Sequence, residues 1–132
     1  MAQSYMGNYT NSDFSGFKMH GANFVSSNLS SVSFKNADIR NANFVSVKLT
    51  YADFSGAQMS GANFLGANLS NAILKKADIR NANFADAKSN NANYSGAQMT
   101  GVNFGGAKLS NTYFKNTDLT NANFSGAKDC TI

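Results

Sequence analysis

Large apolar residues recur at every fifth position along most of the chain. From Tyr9 to Phe124 the spacing holds across 24 positions without insertion or deletion, and all of them except Ser89 carry Phe, Tyr, Leu, Ile or Met. A period of five fits neither an α-helix, which repeats about every 3.6 residues, nor a flat strand, which repeats every two. The pattern predicts short extended segments that are separated by corners.

The residues around each large position support this interpretation. The residue two places before it is Ala in most repeats, so it can face a crowded interior. The residue two places after it is Gly or Asn in 18 of 24 repeats, and both types tolerate the positive φ that a type II turn requires. The chain contains no Pro, so every backbone amide can donate a hydrogen bond to a neighbouring segment.

The spacing of identical residues indicates how many segments make one turn. At intervals of 20, one large position is always Phe and the position before it is always Asn; at shorter intervals one of these patterns is lost. These are a structural core column, Phe24, Phe44, Phe64, Phe84, Phe104 and Phe124, and a structural ladder, Asn23, Asn43, Asn63, Asn83, Asn103 and Asn123. The sequence predicts about six coils of four segments over residues 9–126. Residues 1–8 are predicted to form a cap or tail, and residues 127–132 a C-terminal tail.

The repeated unit is Ala, then Asp or Asn, then Leu or Phe, then two further residues, as in Ala52-Asp-Phe-Ser-Gly-Ala-Gln-Met-Ser-Gly61. In tandem this unit resembles the pentapeptide repeat family, and the resemblance covers nearly the whole chain. It implies an all-β fold, a right-handed quadrilateral parallel β-helix, which is a type of solenoid. The handedness is implied by the resemblance alone.

Composition limits the chemistry that the chain can perform. It has a single His, His20, and a single Cys, Cys130, whereas an activated nucleophile needs a base within hydrogen-bonding reach and zinc sites need several such ligands. We therefore expect no enzymatic activity, no cofactor and no metal site. The sequence has no apolar run near the roughly 20 residues of a membrane span. Its first residues lack a secretory pattern, so we expect a cytoplasmic, bacterial protein.

Two outward-facing rows are candidate partner-binding residues. Val25, Val45 and Leu65 are predicted to stack beside the Asn ladder and to form a small apolar patch. Lys48, Lys88 and Lys108 fall in one row with Lys128. This row is either a solvated surface or a site for an anionic partner. A further basic edge joins Lys35, Lys75, Lys76, Lys115, Arg40 and Arg80, and Asp38, Asp78 and Asp118 partly neutralise it. The Asn ladder itself is interpreted as structural, with stacked amides bonded to one another.

These features predict a non-enzymatic scaffold that binds a protein partner through flat β-helix faces. The alternative is binding of an anionic polymer or surface through the Lys row, which salt would weaken strongly. The net charge of +4 is mild and argues against a nucleic-acid partner. It also argues against the acidic DNA mimicry by which some proteins of this family protect a topoisomerase, and ice binding would need wide Thr arrays. Weak end-to-end or side-by-side self-association remains open.

Ser89 is the one small polar residue in a large core position. Its column neighbours are Leu69 and Leu109, so the sequence predicts either a gap that holds water or a local bulge. If a cavity is present, Ser89→Leu is expected to stabilise the protein.

Overall fold

The computed structural model describes residues 3–130, and the backbone pairing in this range repeats every 20 residues. Isolated parallel bridges join residues 20 positions apart, from the pair Asn8 and Asn28 to the pair Lys108 and Lys128. Within the described residues neither a continuous strand nor a helix forms, because each bridge residue is followed within two positions by a turn. The chain is therefore a repeating β-coil with one bridge residue in every five.

The bridges form four rows, and each row with its flanking residues defines a strip of surface. We name the strips by their bridge residues. The Asn strip is built on Asn23, Asn43, Asn63, Asn83, Asn103 and Asn123; the Lys strip on Asn8, Asn28, Lys48, Asn68, Lys88, Lys108 and Lys128; the mixed strip on Asp13, Ser33, Asp53, Ile73, Asn93 and Tyr113; and the Asp strip on Lys18, Asp38, Gln58, Asp78, Gln98 and Asp118.

Hydrogen bonds tie each segment to the coils on both sides of it. The N–H of Asn63 donates to the carbonyl of Ala42 at 2.9 Å, and the N–H of Phe64 donates to the carbonyl of Asn83 at 2.6 Å. The corner N–H of Gly66 donates to the carbonyl of Ala85 at 2.9 Å. The same three bonds recur along the chain, so three of the five backbone amides in each regular segment are bonded to neighbouring coils without long strands.

The corners confirm the turn prediction. All 24 corner residues, at intervals of five from Asn11 to Gly126, have φ between 56° and 71°. The N–H after the corner closes the turn on the carbonyl of the preceding core residue, as from Ala62 to Met59 at 3.0 Å. Gly and Asn predominate at these corners because they adopt positive φ with little steric cost.

The large apolar residues face the interior and stack in columns. Phe24, Phe44, Phe64, Phe84 and Phe104 are fully buried, and Phe124 is half-buried. Along this column Phe44 stacks on Phe64 with ring centroids 4.7 Å apart. Across the interior Phe54 meets Phe64 edge-on at 5.8 Å. Both arrangements are favoured for aromatic rings and stabilise by about 0.5–1.5 kcal/mol per pair beyond burial.

The pairing extends past the predicted range of 9–126 at both ends. Ser4 pairs with Asn23 at an offset of 19 residues, one fewer than elsewhere, and Lys108 pairs with Lys128. Tyr5 consequently stacks on Phe24 at 5.0 Å and continues the Phe column. The fivefold pattern could not reveal this, because the first segment is one residue short.

Ser89 adopts a regular backbone, so the predicted bulge is wrong. Its N–H donates to the carbonyl of Lys108 at 2.9 Å, and its side chain is fully buried. The Ser89 hydroxyl lies 2.8 Å from the hydroxyl of Tyr94, which occupies the core position of the next segment. Burial raises the pKa of the Tyr94 phenol, so the pair stays neutral. The small residue makes room for the tyrosine hydroxyl and gives it a partner.

Among the described residues, no helix has the length and apolarity needed to cross a membrane.

Candidate functional site

The Asn ladder stabilises the backbone locally. Each side-chain oxygen accepts a hydrogen bond from the N–H two residues later, at 2.8–3.1 Å; the donors are Val25, Val45, Leu65, Ala85, Gly105 and Ser125. Within residues 3–130, one bond runs between ladder amides, from Asn123 to Asn103 at 3.2 Å. We expected the Asn amides to bond to one another. Over most of the ladder each side-chain oxygen instead accepts the backbone N–H two residues later.

The predicted apolar patch lies beside this ladder. Val25, Val45 and Leu65 follow bridge residues that pair with one another, so they occupy adjacent coils. Val25 and Val45 are half-buried and Leu65 is 38% exposed. Ala85 and Gly105 continue the row and add almost no apolar surface. The patch is therefore small.

The Lys strip brings three predicted cations together. Lys88 pairs with Lys108, and Lys108 pairs with Lys128, whereas Asn68 separates Lys48 from Lys88. All four lysines are exposed. Like charges in neighbouring coils repel, so this row is available to an anion but does not itself stabilise the coil.

The two arginines of the predicted basic edge are occupied within the Asp strip. Arg40 makes two hydrogen bonds of 2.8 Å to Asp38, and Arg80 bonds to Asp78 at 2.8 and 2.6 Å. These bonds lower the pKa of both carboxyls. The resulting stabilisation is present at neutral pH and is lost as the pH falls below the unfolded value of about 3.8. The guanidinium groups are thus committed to the fold.

Sequence reasoning missed the mixed strip, which exposes large apolar side chains. Tyr113 is 61% exposed and Ile73 is 37% exposed in bridge positions, and Tyr51 is 64% exposed at the corner that leads into the strip. The signal was present in the row of bridge residues, which reads Asp, Ser, Asp, Ile, Asn, Tyr.

Two corners that border the mixed strip carry the largest side chains among the corner residues. Tyr51 has φ 62° and Lys76 has φ 59°, and they are the only aromatic residue and the only lysine among the 24 corners. A left-handed conformation costs a residue with a large side chain roughly 1–2 kcal/mol. Both side chains are exposed, so packing in the chain does not offset this cost.

Lysines alternate with serines along one side of the mixed strip. The residues are Ser15, Lys35, Ser55, Lys75, Ser95 and Lys115. A shallow groove of about 520 Å³ lies over Ser55 and Gly56, between Lys35 on one side and Lys75 and Lys76 on the other. Asp53 also lines the groove, where its carboxylate lies 3.5 Å from the Lys35 ammonium. The strip combines exposed apolar groups with cations and small polar residues.

The described residues contain no group of three His, Cys, Asp or Glu side chains that could hold a metal ion. The His20 ring nitrogen Nε2 lies 3.3 Å from the Asn41 side-chain amide. Cys130 is half-buried and free.

Comparisons with known proteins identify the repeat. A family model described as "Pentapeptide repeat region" matches residues 47–124, and a model described as "Pentapeptide repeats (8 copies)" matches residues 10–44 and 27–66. No curated protein sequence gives a match.

Two solved structures are similar to this chain. One is the pentapeptide repeat protein Rfr23 from the cyanobacterium Cyanothece 51142, with 28% identity, a TM-score of 0.67, and coverage of 68% of this chain and 62% of that one. The other is a pentapeptide repeat protein from the Arabidopsis thaliana thylakoid lumen, with 33% identity, a TM-score of 0.58, and coverage of 72% and 63%. The match spans less than two-thirds of each relative's length. The fivefold sequence pattern, the 20-residue pairing and the family match agree: this chain belongs to the pentapeptide repeat family.

Proposed function

We propose that this protein is a non-enzymatic bacterial scaffold, located in the cytoplasm, that binds another protein through a flat face of its coil. In this proposal the coil is a right-handed quadrilateral β-helix of about six turns. With neighbouring turns spaced like paired strands, each face is roughly 29 Å long. The face that carries the mixed strip is the proposed contact surface.

One observation carries this proposal: four exposed residues that depart from the repeat's own rules lie on or beside one strip. Ile73 and Tyr113 replace the polar bridge residue, and Tyr51 and Lys76 replace the Gly or Asn of a corner. All four are exposed. Strained or exposed side chains that bring no stability to the fold are candidates for recognition.

The physical setting suits protein binding. Exposed tyrosines contribute strongly to interfaces, because they bury a large area at a small cost in conformational entropy. The backbone beneath Tyr113 is bonded to the neighbouring coil, since its N–H donates to the carbonyl of Ala92 at 3.0 Å and its carbonyl accepts from the N–H of Tyr94 at 2.8 Å. A rigid surface loses little entropy on binding.

Affinity capture from the source cells tests the proposal. The test protein is a double variant of the mixed strip that carries Ile73→Gln and Tyr113→Gln. It is compared with the wild type and with a matched double variant of the Asn strip that carries Val45→Gln and Leu65→Gln. We expect a protein that the wild type retains to be lost with the mixed-strip variant and kept with the control. The reverse result would move the interface to Val25, Val45 and Leu65, and capture that neither variant changes would contradict both surfaces.

A second candidate function is binding of an anionic polymer or surface through the Lys strip. The specific observation in its favour is the stacking of Lys88, Lys108 and Lys128 in consecutive coils. Heparin binding measured over a salt series tests it, because release of counterions makes such binding steeply salt-dependent. Changing Lys48, Lys88 and Lys108 to Gln is expected to abolish the binding and to leave the melting temperature unchanged. Binding that persists in this variant would exclude the Lys strip.

A further inference from the structure

A missing hydrogen bond distinguishes two places on the mixed strip. Where the bridge residue is Asp13, Asp53 or Asn93, its side-chain oxygen accepts a hydrogen bond of 2.9 Å from the backbone N–H two residues later. The donors are Ser15, Ser55 and Ser95. After Ile73 the bridge side chain has no acceptor, and after Tyr113 the phenol oxygen at the end of the ring does not accept this N–H. Within residues 3–130 the N–H groups of Lys75 and Lys115 consequently have no hydrogen-bond acceptor in the chain.

These two N–H groups differ from other uncapped ones. Ser60 and Thr100, which follow Gln58 and Gln98, also lack the local bond but have no lysine and no exposed apolar side chain beside them. His20, Thr50 and Asn90 lack it too, and there the lysine is the bridge residue two positions earlier. At Lys75 and Lys115 the free N–H belongs to the lysine itself, and an exposed Ile or Tyr lies two residues before it. Each place therefore offers a backbone donor, an ammonium group and an apolar contact together.

The charges that remain at these places favour an anion. Within residues 3–130, Lys75, Lys76 and Lys115 make no salt bridge, whereas Lys35 is held by Asp53. Between the two places lie Asn93, Ser95 and Gly96, which carry no charge. A carboxylate is the natural group to accept both a backbone N–H and an ammonium, and Asp53 accepts the equivalent N–H within this strip.

The distance between the two places restricts the partner further. Lys75 and Lys115 are 40 residues apart, which is two coils or about 9.6 Å. A polyproline II helix has three residues per turn and rises about 3.1 Å per residue, so one of its sides repeats every 9.3 Å or so. A nucleic acid strand carries a charge about every 3.4 Å in the duplex, which would leave most of its phosphates unmatched.

We infer that the mixed strip binds an extended acidic segment of a partner protein in the polyproline II conformation, with an Asp or Glu at every third residue. Two of its carboxylates replace the missing side-chain acceptors at the N–H groups of Lys75 and Lys115. The intervening residues, Pro among them, pack on Ile73 and Tyr113, as such helices pack on aromatic surfaces elsewhere. This inference rests on the proposed function, since it specifies the partner's contact segment.

A labelled peptide of repeated Glu-Pro-Pro, about nine residues long so that it spans both places, provides the test by fluorescence anisotropy. The comparison peptide has the same composition with its Glu residues clustered at one end. We expect the repeating peptide to bind the wild-type protein about tenfold more tightly, which corresponds to about 1.4 kcal/mol. The amide proton signals of Lys75 and Lys115 are expected to shift in NMR spectra as the peptide is added.

The chain supplies a matched pair of variants. Ile73→Asn with Tyr113→Asn restores the local acceptor at both N–H groups, whereas Ile73→Gln with Tyr113→Gln removes the apolar groups and leaves both N–H groups free, as Gln58 and Gln98 do. All lysines remain in both variants. We expect the Asn variant to bind the peptide more weakly than the Gln variant. Changing Lys48, Lys88 and Lys108 to Gln lowers the net charge without touching the strip and is expected to have little effect.

Several results would overturn the inference. The first is equal affinity of the wild-type protein for the two peptides. The second is an equal loss of peptide affinity in the Asn and Gln variants. The third is tighter binding of oligothymidylate or a heparin fragment than of the peptide to the same residues. The proposed function fails separately. If a captured protein depends on Ile73 and Tyr113 but no peptide binds, only the acidic segment is wrong; if no captured protein depends on them, the contact surface itself is wrong.

Discussion

The Asn strip and the mixed strip are built on the same backbone and differ mainly in the side chains that they expose. The Asn strip repeats one bridge residue outside, Asn, and one core residue inside, Phe. The mixed strip varies on both sides: its bridge residues are those named above, and its core residues are Phe14, Phe34, Phe54, Leu74, Tyr94 and Phe114. Both strips nevertheless have corners with positive φ and the same bonds between coils.

The comparison separates what the fold requires from what it permits. A polar bridge residue stabilises its segment by capping the N–H two residues later, and the Asn strip does this in every coil. The mixed strip omits the cap at Ile73 and Tyr113, and the coil still forms. The bridge residue is therefore free to vary, and a bridge residue that exposes an apolar group contributes no cap to the stability of its segment.

The interior contact between the mixed strip, at Tyr94, and the neighbouring Lys strip, at Ser89, gives the largest expected effect. Ser89→Leu should destabilise the protein by about 1–3 kcal/mol, because the leucine must displace the buried Tyr94 hydroxyl and leave it without a partner. Urea unfolding measures the change. This is the opposite of the stabilisation that the sequence alone predicts.

A double variant isolates the cause. Ser89→Leu with Tyr94→Phe recreates the pair formed by Leu49 and Phe54, 40 residues earlier, and should recover most of the lost stability. A double variant as unstable as Ser89→Leu would show that the backbone around residue 89, and not the hydroxyl pair, rejects the larger side chain.

Exchanging bridge residues between the strips tests the comparison directly. Asn63→Ile removes the cap on the Leu65 N–H, which is 3.1 Å from the Asn63 oxygen, and should cost about 0.5–1.5 kcal/mol. Ile73→Asn adds the equivalent cap at Lys75 and should be neutral or stabilising. Thermal unfolding measures the stability of both variants. If Ile73→Asn destabilised the protein as much as Asn63→Ile does, the proposed distinction between the strips would be wrong.

The corner of the mixed strip gives the smallest effect on stability. Tyr51→Asn relieves the strain of a large side chain at φ 62° and should stabilise the coil by up to about 1 kcal/mol. Asn41→Gln is the control, since it places a longer side chain at an Asn corner and should lower the melting temperature slightly. A melting temperature that falls in Tyr51→Asn would mean that the ring packs on the surface and stabilises the coil.

The sequence predicts the coil well because its signals are repeated many times. A corner such as Gly56 or Asn36 follows from φ preference alone, and the Phe column follows from periodicity. Tyr5 escapes the prediction because its segment is one residue short, which only the pairing of Ser4 with Asn23 reveals. The sequence led us to expect hydrogen bonds between stacked Asn amides. It could not show the true acceptor geometry, because the direction of each side-chain oxygen depends on the local backbone conformation.

The candidate site was harder to predict for a physical reason. Periodicity identifies the residues that obey the repeat, whereas Ile73, Tyr113 and Tyr51 matter because they break it. Their exposure becomes evident only when the coil places them on one strip beside Lys75 and Lys115. The pairing of Ser89 with Tyr94 likewise depends on which core columns are neighbours, and a single column cannot show it.

Site-specific photo-crosslinking tests directly whether the mixed strip is the surface that binds a partner protein. A benzophenone amino acid is placed at Tyr113 on the mixed strip in one variant and at Leu65 on the Asn strip in another, and both are irradiated in the source cells. The account predicts a discrete covalent adduct with a partner protein from position 113 and none from position 65. An adduct from position 65 alone, or equal adducts from both, would show that the mixed strip is not the binding surface.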